Sequence, residues 1–127
     1  MAIAAFASWH GDHLAARHAL TGRPSIVAHA AFETYSVLTR IPPPERANPE
    51  DVAAFIDEMF GDRWLGLTPN ALRLSLGRLE QLGISGGQTY DGLIAITAAA
   101  QDGILVTLDR RARLTYALVG ADVELVA

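Results

Sequence analysis

QTYDGLIAITAAAQDGILVTLDRRAR, residues 88–113, is the stretch whose reading decides the fold. Tyr90 to about Gln101 predicts a helix, Asp102-Gly103 a tight turn, and Ile104 to Thr107 a buried strand. An acidic residue, Asp109, then opens a further helix. Asp91 falls in the first turn of the earlier helix, and Asp109 just past the carboxyl end of the strand. In open α/β sheets ligands collect in the crevice beyond the strand carboxyl ends. The two carboxylates are 18 positions apart, and a helix–turn–strand hairpin that folds back on itself brings them close together.

Outward from this stretch the pattern repeats. Downstream, Arg110 to Val119 predicts a helix ended by Gly120, and Val123 to Val126 a last strand. Upstream, Ser85-Gly86-Gly87 predicts a flexible entry loop with no phosphate-binding motif. Thr68-Pro69 opens a helix with a stripe of Leu72, Leu76, Leu79 and Leu82, stopped by Gly83. Asn48-Pro49 is a strong helix start, followed by Val52, Phe55, Ile56, Met59 and Phe60 on one face and ended by Gly61. That face, with Trp64 after it, is expected to be mostly core, with part left for a partner. Arg63 to Leu67 and Ser25 to Ala28 predict short strands, and His29 to Ile41 a helix closed by three prolines. Residues 2–7 predict a helix, and Asp12 the cap of a second that runs through Leu20. Short strands alternating with helices predict a single α/β domain, residues 1–127, with a mainly parallel sheet.

Half of the 127 residues are hydrophobic, which fits a globular chain with a real core. No apolar run is long enough to span a bilayer, and the first residues lack the basic leader of a signal peptide. With no cysteine, disulfides and thiolate metal sites are excluded and a cytoplasmic location is expected. A net charge of −4 argues against a protein that coats nucleic acid generally. All ten basic residues are arginines, whose planar fork suits phosphate and carboxylate partners.

Three acids stand where surface charge is not expected. Glu33 lies within the largely apolar segment HAAFETYSVL (29–38), Asp91 among small packable residues, and Asp109 after ILVTL (104–108). Each alone also fits a structural role. Glu33 can face solvent with His29 one turn earlier, Asp91 can favour the helix dipole, and Asp109 can be an N-cap. Their joint placement favours chemistry. Converging carboxylates repel one another unless a cation neutralises them. Oxygen ligands without His or Cys favour Mg²⁺ or Mn²⁺ over zinc. A divalent ion in an acidic cleft suits phosphodiester hydrolysis.

The segments AHAAFETYSVLTRIPPP (28–44), TYDGLIAITAAAQDG (89–103) and ILVTLDRRARLTYALVG (104–120) resemble the PIN-domain family. Within it they are similar to the VapC-like ribonuclease toxins of type II toxin–antitoxin pairs. The resemblance runs from about Phe6 to Val126. It implies a PIN-like three-layer sandwich with a short, mainly parallel sheet, and a Mg²⁺-dependent (or Mn²⁺-dependent) endoribonuclease. It also implies a homodimer held by a VapB-like antitoxin, acting on RNA without a membrane. Glu33, Asp91 and Asp109 match the family's catalytic and metal-holding acids, with Thr107 as a supporting hydroxyl. One departure stands out: the family's opening strand, which ends in an Asp, has no counterpart before MAIAAF. The first central strand is therefore expected to be absent from this chain, and Mg²⁺ binding by it weak or missing.

Arg110, Arg111 and Arg113 beside Asp109 suit RNA phosphates, an acidic antitoxin tail or plain solvent. His10, His13 and His18 are poorly spaced for a helical metal site. The alternative function is a catalytically impaired remnant that only binds an antitoxin or partner. An acidic phosphotransfer pocket is disfavoured, because it needs a Lys and the sequence has none.

Overall fold

The computed structural model describes residues 1–126. Its chain forms two compact units, residues 1–64 with Val126, and Leu65–Leu125.

The first unit is built of α1 (Ala2–Phe6), α2 (His13–Ala19), β1 (Ile26–Val27), α3 (Ala28–Arg40) and α4 (Pro49–Phe60). It closes on β2 (Trp64–Leu65), which pairs with β1 at the unit's boundary. The Ile26 amide donates to the Arg63 carbonyl at 3.0 Å. α4 starts and stops where its sequence dictates. Asn48 accepts from the Glu50 amide through its side chain, Pro49 fills the first turn, and Gly61 at φ 55° ends the helix. Val52, Ile56 and Phe60 are buried on its inner face, and Phe55 meets Phe6 edge-to-face at 5.4 Å. Asp12 stands at the N-cap of α2 without a side-chain cap bond; its amide donates to His10 Nδ1 instead. Arg63 Nε donates to the Pro24 carbonyl and its Nη2 to the Met59 carbonyl, tying the turn before β1 to the last turn of α4.

Trp64 is not core. It is 41% exposed, and meets Phe32 edge-to-face.

The second unit contains α5 (Pro69–Gln81), a 3₁₀ turn at Gly86–Gln88, α6 (Thr89–Ala100), β3 (Ile104–Thr107), α7 (Arg113–Val119) and β4 (Asp122–Leu125). β3 and β4 pair in parallel, Ile104 opposite Asp122 and Thr107 opposite Leu125, as the alternation of helices and strands predicts. The entry loop expected at residues 85–87 is thus partly ordered as helix. α6 is buried from Gly92 and along Ile94–Ala98, the mark of a helix packed on most sides. Leu79, Ile84, Ala95, Ile96, Ala112, Tyr116 and Val119 form the core around it.

Two expectations about burial are overturned. The α5 stripe is out of phase: Leu79 is buried and Leu82 half-buried, but Leu72 and Leu76 are 43% and 68% exposed. The helix buries Ser75 in their stead, whose hydroxyl donates to the Ala71 carbonyl and so enters the core satisfied. The strand at 104–107 is buried only at Thr107, with Ile104 65% exposed. Within its unit it belongs to a sheet of two strands, so fewer neighbours cover it.

A glycine on the outer side of α5 offers a simple check of the helix. A Cβ at Gly77 would meet nothing within 4 Å. Gly77→Ala is expected to stabilise the protein by about 0.5–1 kcal/mol, read as a higher urea midpoint. An unchanged or lower midpoint would mean that this turn is not helical.

Candidate metal-binding acids

Asp109 is the best-defined of the three acids. The chain leaves β3 at Thr107 and turns at once. The Asp109 amide donates to Thr107 Oγ1 at 3.0 Å. Asp109 Oδ1 then accepts from the amides of Arg111 at 2.8 Å and Ala112 at 3.3 Å. Asp109 thus caps the turn before α7 rather than the helix itself, which begins three residues later than the sequence suggests, at Arg113. One carboxylate oxygen is committed to the backbone, and Oδ2 is the oxygen left for a ligand. Thr107 is buried, and its Oγ1 anchors the turn through the Asp109 amide.

Asp91 lies in the first turn of α6 and is half-buried. Its position is set by its neighbour Gly92. A Cβ there would fall 2.5 Å from Leu79 Cδ2 and 3.2 Å from Ile84 Cγ2, so only glycine lets the opening turn of α6 approach α5 this closely. The helix N-terminus favours the Asp91 carboxylate as an anion.

Glu33 is exposed in the second turn of α3, with His29 Nε2 at 3.7 Å from its Oε1, one helical turn away. Glu33 belongs to the first unit; Asp91 and Asp109 belong to the second. Among the described residues no group of three or more His, Asp or Glu side chains is set to hold a metal ion. The donors themselves are hard oxygens, the chemistry that Mg²⁺ and Mn²⁺ prefer. Arg110, Arg111 and Arg113 are exposed beside Asp109. Two of the histidines make contacts to the backbone: His13 Nδ1 lies 2.8 Å from the Ala4 carbonyl oxygen, and His10 Nδ1 accepts from the Asp12 amide.

The sequence reading missed the outward aromatic pair Phe32 and Tyr35, 68% and 39% exposed on α3. Their spacing of three on a helix whose core positions are Ala31, Thr34 and Leu38 was the available signal.

A family model described as PIN domain matches residues 1–118. The chain belongs to the PIN-domain family. Among its relatives it is 43% identical to Ribonuclease VapC40 of Mycobacterium tuberculosis (strain ATCC 25618 / H37Rv) over 124 residues, 98% of this chain and 92% of that protein. It is 39% identical to Ribonuclease VapC27 of the same strain over 103 residues, 81% of this chain and 74% of that protein. It is therefore a VapC-like PIN protein, and the expected α/β PIN fold is borne out. No solved structure matches it significantly. Among the described residues, no helix of this PIN protein is long and apolar enough to cross a membrane.

Proposed function

We propose that this VapC-like PIN protein is a metal-dependent endoribonuclease, the toxin of a toxin–antitoxin pair, working in the cytoplasm as a homodimer restrained by a VapB-like antitoxin. The observation that carries this reading is the 43% identity, across 98% of the chain, to a protein named as a VapC ribonuclease. It is supported by the chemistry of Glu33, Asp91 and Asp109, which carry no nitrogen or sulfur donor among them.

In this reading residues 1–127 act as one domain in which Glu33, Asp91 and Asp109 hold Mg²⁺ or Mn²⁺. When bound, the ion lowers the pKa of a water and offsets charge on the scissile phosphate. The chain's own residues do the rest. Asp109 presents Oδ2 while its other oxygen is held by the amides of Arg111 and Ala112. Thr107 fixes the turn that carries it. Asp91 is presented at a helix start by the tight seat of Gly92. Arg110, Arg111 and Arg113 give the RNA backbone phosphates cationic contacts, which position a strand without reading its sequence.

Growth on induced expression tests the reading. Wild type is expected to arrest growth and Asp91→Asn to relieve the arrest. The purified protein is expected to cleave RNA with Mg²⁺ or Mn²⁺ and to stop on addition of EDTA. Equal growth arrest by wild type and Asp91→Asn would mark a binding remnant instead, and cleavage untouched by EDTA would exclude the metal.

A further inference from the structure

His29 stands one helical turn before Glu33, on the same side of α3. It is the second residue of the helix, two places after β1 ends at Val27. A histidine there meets the region beyond a strand's carboxyl end, where ligands of α/β proteins collect. Its side chain is 32% exposed, yet solvent does not reach Nε2, so that nitrogen gives up no bulk water to take an ion. It lies 3.7 Å from Glu33 Oε1. The distance is too long for a hydrogen bond, and an ion pair one turn apart near the surface gains little in water. Two ligands of one dication, each about 2.1 Å from it, stand about 3.0 Å apart at right angles and about 4.2 Å apart when opposed. The observed separation falls between those limits. Glu33 itself is 49% exposed, so an ion beside its carboxylate stays open to water and phosphate, as a catalytic metal must.

We propose that His29 Nε2 and Glu33 Oε1 hold the metal ion jointly, and that the imidazole makes the site prefer Mn²⁺ to Mg²⁺. An all-oxygen set takes either ion, whereas imidazole nitrogen is a poor ligand for Mg²⁺ and a good one for transition ions. The carboxylate keeps the site hard enough for Mn²⁺. A spacing of four on a helix sets two ligands on one face without help from the rest of the chain, as paired ligands on metal-binding helices do. His29 thus touches the ion itself, which separates this role from that of a residue that only pairs with Glu33. This inference rests on the place of Glu33 in the proposed metal set and names a ligand outside that set.

Electron spin-echo spectroscopy of Mn²⁺ added to the full chain tests it, with thermal melts to show that each variant is folded. Wild type is expected to show the coupling of a directly bound nitrogen nucleus, and both His29→Gln and His29→Ala to lose it. Titration is expected to find Mn²⁺ bound at least about tenfold more tightly than Mg²⁺ by wild type. His29→Gln, which puts an amide oxygen in place of the nitrogen, is expected to lose most of that preference. Bound Mn²⁺ without nitrogen coupling in wild type would overturn the ligand while leaving the metal reading standing. Coupling that persists in both variants would overturn it as well, because the nitrogen would come from elsewhere. Should wild type take up no Mn²⁺ at millimolar concentration, His29 and the metal part of the proposed function fall together.

Discussion

Asp109→Asn is expected to lower RNA cleavage at least about a thousandfold, the scale of several kcal/mol of metal-assisted charge stabilisation, while barely changing the stability of the fold. The contrast follows from the division of labour within one carboxylate. Asp109 Oδ1 accepts from the Arg111 and Ala112 amides, and an asparagine carbonyl oxygen can accept the same two bonds. What asparagine cannot supply is the negative charge at the other oxygen. Asp109→Ala loses both, and is expected to cost a further 1 kcal/mol or so of folding stability, as loss of a cap does. Urea unfolding of the three proteins beside RNA cleavage in Mn²⁺ reads the two roles separately. Cleavage by Asp109→Asn within tenfold of wild type would remove Asp109 from the metal set. Equal loss of stability in both variants would show that the turn depends on charge and not on the acceptor.

Gly92→Val is expected to destabilise the second unit by about 3 kcal/mol, the upper range for overpacking a filled core. The first added carbon already meets Leu79 at 2.5 Å and Ile84 at 3.2 Å, and both neighbours are buried. The branch methyls of valine have nowhere to go unless α6 moves off α5. Gly92→Ala sits between the two limits, because its clash is partly offset by about 1 kcal/mol of helix propensity. The same change at Gly77, where there is open space, runs in the opposite direction. Against a total stability of about 5–15 kcal/mol, the valine loss shows clearly in a denaturant midpoint. A midpoint for Gly92→Val equal to that of wild type would mean that α6 and α5 are not packed as closely as these distances require. Because Asp91 is the adjacent residue, activity is expected to fall as the helix start shifts.

How much of this was legible in the sequence depends on the range of the interactions involved. α4 could be read to within a residue because its signals are local: Asn48 and Pro49 at one end, Gly61 at the other. Asp102-Gly103 could be read as a turn for the same reason, and Asp102 takes a positive φ of 53° there. The phase of α5 could not. Its leucines at 72, 74, 76, 79 and 82 leave more than one face available, and the protein buries the one that includes Ser75 because a serine can bond back to its own helix. The exposure of Ile104 was hidden too, since an apolar run does not say how many strands will flank it.

The acids divide in the same manner. That Asp109 could accept backbone amides was readable from its position, though as the cap of the helix and not of the turn before it. That Thr107 holds the Asp109 amide, with one carboxylate oxygen committed to the backbone and the other spared, shows only in the folded chain. Gly92 looked like one more small residue beside Asp91, and only the placement of Leu79 and Ile84 shows why nothing larger stands there.

The register of β3 on β4 has a consequence for a chain made one residue at a time. All three acids have left the ribosome before residues 122–125 emerge, yet those residues are the parallel neighbour of β3 in its unit. Until then the strand leading to Asp109 has no ladder partner there. A nascent polypeptide of about 110 residues would thus already carry all three acids proposed to hold the metal, without the backbone pairing that steadies one of them. Synthesis itself postpones that pairing until residues 122–125 have been made.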